Sequence, residues 1–270
     1  MDNRFDRDTA LKRTDQDLFE GRIDGGWWIV RGPNGGYIAS IVLRAMTMTV
    51  ADPTRHPRSM TVHYVRPPVE GPVTVRTVAE RTGRTLSTVS ARMEQDGKLV
   101  ALALGAFSGP FGGSVEFSEI EMPDAPPPES LPLRPEREGD LPFLDRFDFR
   151  WAVGVAPLGE GGEAVSGAWI RPSEPRVADA LLVAQLMDAW APAVFSKVMP
   201  PAGVPTIDLT IHFRRSLPVP GATPDDYLLG VFRTRTAHDG FIEEDGELWT
   251  RDGLLLAQSR QLAILIPGRA

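Results

Sequence analysis

Residues 177–195 read VADALLVAQLMDAWAPAVF, and from Ala180 to Trp190 only Gln185 and Asp188 are polar. A segment apolar on nearly every side predicts a buried helix, because a surface helix keeps a polar face. Its 19 residues match a bilayer in length, but Asp179, Gln185, Asp188 and Pro192 argue against a membrane span. The stretch therefore predicts the central helix of a core, with one carboxylate, Asp188, near its far end. Two readings of Asp188 stand at this point. A buried carboxylate is costly and has a raised pKa, which makes it a candidate for chemistry. On a solvated last turn, where Pro192 disturbs the helix, it is an ordinary surface acid.

A second apolar stretch, YIASIVLRAMTMTV (37–50), predicts another such helix, and no Asp or Glu occurs between Asn34 and Ala51. Strand-like segments surround both. SMTVHYVRP (59–67) and GPVTVRTVAERTG (71–83) alternate with period two, and LSTVSARMEQDGKLVALALGAFSG (86–109) reads as a hairpin turning at Asp96-Gly97. The second stretch is followed by TIDLTIHFRRSLP (206–218), YLLGVFRTRTA (227–237) and GELWTRDGLLLAQSRQLAILIPG (246–268), turning at Asp252-Gly253. Residues 1–25 read as a leading strand or arm. Residues 118–142, rich in proline and charge, read as an extended linker.

The order of helix, strands and Asp-Gly hairpin thus occurs twice. TVHYVR (61–66) aligns with TIHFRR (210–215), and the period of about 150 residues is too long for a solenoid. Duplication of one α+β unit is the expectation. The boundaries are 1–117 for the first unit, 118–142 for the linker and 143–270 for the second.

Composition narrows the function. A net charge of −7 argues against nucleic acid as a partner. The chain has no cysteine, which removes disulfides, thiolate nucleophiles and Cys-ligated zinc. His56, His63, His212 and His238 show no metal spacing, and no G-x-S-x-G elbow is present. No metal and no cofactor are expected. The charged N-terminus is not a signal peptide, and a cytoplasmic location is expected.

The segments NGGYIASIVLRA, RSMTVHYVRPP, QDGKLVALALGAF, LMDAWAPAVF, PTIDLTIHFRR and TRDGLLLAQSRQLAIL, in this order, resemble the acyl-CoA thioesterase II family and its thioesterase-like relatives. The resemblance implies a tandem (double) hotdog fold of the α+β class. Two long central helices, about 34–50 and 177–191, would lie side by side, wrapped by a continuous antiparallel sheet. It implies a water held by an Asp, a Thr and a Gln of the second unit, which fall on Asp188, Thr206 and Gln261. It also implies an acyl-CoA substrate and, since single hotdogs pair, a homo-oligomer.

The asymmetry of the two halves agrees with that assignment. The counterpart of Gln261 is Gly105, that of Thr206 is Pro57, and the first helix has no carboxylate. Asp188 is expected as general base, with Thr206 and Gln261 orienting the water. Asn34, Gly35 and Gly36 are either backbone donors for the oxyanion or a plain turn. Two other functions compete with thioester hydrolysis: a non-catalytic acyl-CoA or lipid-binding protein, and an enoyl-CoA hydratase-type lyase. The lyase ranks below because residues 180–200 contain no histidine to pair with the Asp.

Overall fold

The computed structural model of the chain describes residues 3–113, 115–156, 162–197 and 203–266. In chain order these form α1 (Arg4–Asp8), β1 (Lys12–Asp15), β2 (Leu18–Ile23), α2 (Gly35–Val50), β3 (His56–Tyr64), β4 (Gly71–Thr82), β5 (Leu86–Gln95) and β6 (Lys98–Ser108). Then follow β7 (Phe147–Gly154), β8 (Val165–Pro172), α3 (Ala180–Leu186), β9 (Thr206–Phe213), β10 (Leu228–Arg233), β11 (Ala237–His238), β12 (Phe241–Trp249) and β13 (Leu255–Ile264).

The strands make one large antiparallel sheet in the order β1-β2-β4-β5-β6-β3-β9-β13-β12-β10-β8-β7, with β11 paired to β12. Strands from the two ends of the chain meet where β3 pairs with β9. Thr61 lies opposite Thr210 there, with the two hydroxyls 2.9 Å apart. The Asp96-Gly97 hairpin turns tightly, and both residues have positive φ, at 50° and 70°. The equivalent turn at Asp252-Gly253 is looser. Only Gly253 is left-handed, and Thr250 brackets the loop by pairing with Leu254.

The first half of helix α2 has no solvent face, since every residue from Gly36 to Leu43 is buried. Asn34 caps its start by accepting the Tyr37 N–H, which satisfies one of the donors a helix leaves open. Side chains of β3 to β6 and of α3 close over it in one core cluster.

The second helix departs from the sequence expectation. In place of a long helix across 177–195, α3 spans seven residues, from its Asp179 cap to Leu186. The backbone then tightens, with Asp188 and Ala189 donating to carbonyls three residues back. Trp190 folds its indole N–H onto the Leu186 carbonyl at 3.0 Å, satisfying an acceptor that a continuing helix would have used. Pro192 has no N–H to continue the ladder, and a short 3-10 turn, Ala193–Ser196, follows. Apolar composition therefore predicted burial correctly but overestimated helix length.

The two helices do lie side by side. Ser40 donates to the Leu181 carbonyl at 2.9 Å. A Cβ on Gly36 would stand 2.4 Å from the Gln185 carbonyl oxygen, so this close approach requires glycine. Between β6 and β7 the chain is mostly irregular, with a 3-10 turn at Pro128–Ser130. Ile120, Met122, Ala125 and Leu131 pack against a small cluster around Trp169, Leu229, Val231 and Trp249. No described helix is long and apolar enough to cross a membrane.

Candidate active site

Because α3 ends at Leu186, Asp188 does not continue down a helical face. The turn carries it to the start of α2. Its Oδ2 accepts the Gly36 N–H at 2.9 Å and the Asn34 Nδ2 at 3.1 Å, and Asn34 also donates to the Asp188 carbonyl at 2.6 Å. Asn34 is held in turn by Gln185, whose Nε2 donates to Asn34 Oδ1 at 2.7 Å. Tyr64, from β3, donates its hydroxyl to the Gly35 carbonyl at 2.9 Å and closes the other side. The N–H groups of Gly35 and Gly36, one reading of which was an oxyanion cradle, are turned to the Asp188 carboxylate.

Thr206 and Gln261 come together on the sheet. The Thr206 hydroxyl donates to Gln261 Oε1 at 3.1 Å. The contact depends on a β-bulge. In the β9–β13 ladder Asp208 opposes Leu262, but Thr206 opposes Ala263, so Ile207 is the extra residue. Thr206 is thereby turned to the inner face, with Gln261 and Ala263, while Asp208 lies on the outer face with Leu262. In the first half the place of Gln261 is taken by Gly105, and there Met46 fills the space, its sulfur 3.2 Å from where a Cβ would stand.

A second acidic residue, absent from the sequence prediction, adjoins Gln261. Glu244 is 2% exposed. Its Oε1 accepts Gln261 Nε2 at 2.8 Å, and its Oε2 accepts the Ala193 N–H at 2.5 Å. The signal was present in the sequence. Alternation along β12 sends Ile242, Glu244, Gly246 and Leu248 to one buried face, which puts a carboxylate on a core face.

Burial dominates the electrostatics. It raises the Asp188 pKa from 3.8 to about 7, against the opposing effect of the Gly36, Gly35 and Asn34 hydrogen bonds. Part of the Asp188 surface stays open to solvent. Burial likewise raises Glu244 from 4.5 to about 7, and the nearby charge of Asp188 adds to the rise. Tyr64 is pushed well above its ordinary value by burial and then by Asp188. A carboxyl with a pKa near neutrality, at the positive end of a 16-residue helix, can gain or lose a proton at physiological pH.

A single antiparallel sheet closed over buried helices is the hotdog architecture. Matching it is a hotdog-fold protein of unknown function from Alicyclobacillus acidocaldarius, with a TM-score of 0.89, 29% identity and 99% of both chains covered. Residues 24–108 match the acyl-CoA thioesterase N-terminal domain model and residues 123–265 the acyl-CoA thioesterase C-terminal domain model, so the chain belongs to this thioesterase-like hotdog family. An acyl-CoA thioesterase II from Mycobacterium marinum shares the fold at a TM-score of 0.77 and 22% identity, with 98% of both chains covered. An uncharacterized Mycobacterium tuberculosis protein is 25% identical over 98% of this chain and 99% of its own length.

Proposed function

We propose that the chain hydrolyses acyl-CoA thioesters to a free acid and CoA by attack of one water, with Asp188 as general base. The observation that carries this reading is the Asp188 carboxylate, buried at the start of α2 with its pKa raised to about 7. Water attacks the thioester carbonyl and gives its proton to Asp188. The tetrahedral intermediate then collapses, the C–S bond breaks, and the CoA thiolate takes up the proton.

Hydrogen-bond accounting gives Thr206 and Gln261 complementary roles. The Thr206 O–H is used on Gln261 Oε1, so Thr206 offers lone pairs to the water. Gln261 Nε2 uses one N–H on Glu244 and keeps a second for the water oxygen. The water can then donate to Asp188 and Thr206, accept from Gln261, and retain a lone pair for attack. Asn34, Gly35 and Gly36 are assigned to holding the base.

The same reading takes the fold as a double hotdog, with units at 1–117 and 143–270 joined by 118–142. It is supported by the pairing of β3 with β9, in which the aligned residues Thr61 and Thr210 face each other as they would across a two-fold axis. The second central helix is the short α3. Further pairing of such units into a homo-oligomer is expected, and light scattering at micromolar concentration tests it.

A panel of acyl-CoA substrates from short to long chain, read by release of free thiol, tests the activity. Turnover of at least one chain class is the expected result. Tight acyl-CoA binding with no thiol release from any of them would favour the non-catalytic binding protein instead.

A further inference from the structure

We propose that Glu244 is a positioning residue that fixes the side-chain amide of Gln261 in the orientation the hydrolytic water requires. The inference rests on the reading of Gln261 as a ligand of that water. An amide can face its neighbours in two ways, related by exchange of its oxygen and nitrogen, and only the neighbours' donors and acceptors decide between them. Thr206 cannot decide, because a hydroxyl can donate to the oxygen or accept from the nitrogen.

Glu244 can decide. Its Oε2 is committed as an acceptor by the Ala193 backbone N–H at 2.5 Å. Its Oε1, when ionised, is also only an acceptor, so Gln261 must present Nε2 to it, as observed at 2.8 Å. That leaves Gln261 Oε1 toward Thr206 at 3.1 Å and one N–H free. A neutral group at Glu244 reverses this. With Oε2 still receiving Ala193, the proton or amide hydrogens must stand on the Oε1 side and need an acceptor. Gln261 would then turn Oε1 toward residue 244 and Nε2 toward Thr206.

The groups around Glu244 are Gln261 on β13, the Ala193 N–H of the 3-10 turn, Asp188 after α3, and Glu243 on its own strand. Asp188 and Glu243 are acidic and favour the neutral form, so the orientation of Gln261 depends on pH in the range where Glu244 ionises. Glu244 does not need to touch the substrate.

The test has a kinetic and a spectroscopic arm. In the kinetic arm, Glu244→Gln lowers kcat about tenfold with KM changed less than about twofold, and in the Gln261→Ala background it causes no further loss. Losses in kcat that simply multiply would overturn the proposal, since Glu244 would then act independently of Gln261. In the spectroscopic arm, the Gln261 side-chain ¹⁵N amide resonance is identified by its absence in Gln261→Ala. It should shift with pH in the parent and in Asp188→Asn, and lose that shift in Glu244→Gln. A resonance that ignores pH in the parent would overturn the proposal even if Glu244→Gln fails to fold. If the parent releases no thiol from any acyl-CoA, the hydrolase reading fails, and the spectroscopic arm still decides whether Glu244 sets the orientation of Gln261.

Discussion

Asp188 accepts the backbone N–H of Gly36 at 2.9 Å, across 152 residues of sequence. The carboxylate from beyond α3 thus sits on the first turn of α2, where the helix dipole and open N–H groups favour negative charge. The carboxylate is kept in place by the other helix.

The two glycines of that turn should respond differently to a methyl group. In Gly36→Ala the Cβ meets the Gln185 backbone carbonyl at 2.4 Å, so the helices must separate. A stability loss of about 1–3 kcal/mol is expected, together with loss of activity. In Gly35→Ala the Cβ instead meets Asp188 Oδ2 at 2.8 Å and the Tyr64 ring at 3.1 Å. The expected result is a larger effect on kcat than on Tm. Thermal melts and steady-state kinetics on the pair check this.

Hydrolysis should rise with pH and level off above about 7, because Asp188 must be ionised to accept a proton and burial holds its pKa there. Glu244 titrates in the same range and the two carboxyls interact, so the apparent midpoints belong to the pair. A kcat/KM profile flat from pH 5 to 9 would exclude Asp188 as the base.

Stability should show the opposite trend. Both carboxyls have folded-state pKa values raised above their unfolded ones, so each stabilises the fold below about 4 and loses that contribution as pH rises through about 7. Asp188→Asn should therefore gain Tm relative to the parent at pH 8, by several degrees at the order-of-magnitude level, and little at pH 4. Melting curves at the two pH values check the sign.

Trp190 ends α3 by donating to the Leu186 carbonyl at 3.0 Å. Its ring also fills the space over Gly230, where a Cβ would lie 2.2 Å from it. Trp190→Phe removes this donor and leaves the Leu186 carbonyl with only the longer Ala189 N–H contact at 3.4 Å, so a loss of about 0.5–1.5 kcal/mol is expected, read as a lower denaturant midpoint.

Much of this architecture could be read from sequence because it rests on periodicity. The apolar runs marked both helices as buried, and the TVHYVR and TIHFRR alignment named the strands that meet at Thr61 and Thr210. The hairpin at Asp96-Gly97 followed from turn chemistry. The early segment was read as a single leading strand or arm and forms two strands, β1 and β2, because its short charged runs carry little apolar alternation. The end of α3 was missed because it depends on Trp190 folding back onto Leu186, a contact that composition does not encode. At the site, strict alternation along β9 would put Thr206 and Asp208, two residues apart, on one face, but the bulge at Ile207 separates them. Glu244 was visible in the alternation of β12, but only its two acceptor contacts show what a carboxylate does there.

The most direct measurement is the turnover of the best acyl-CoA substrate by Asp188→Asn. The asparagine keeps an acceptor for the Gly36 N–H but cannot take a proton from water. The predicted result is a fall in kcat of on the order of a hundredfold or more with the fold intact, and a smaller loss for Gln261→Ala, whose place solvent can partly fill. Hydrolysis by Asp188→Asn as fast as by the parent would contradict the assignment of Asp188 as the base.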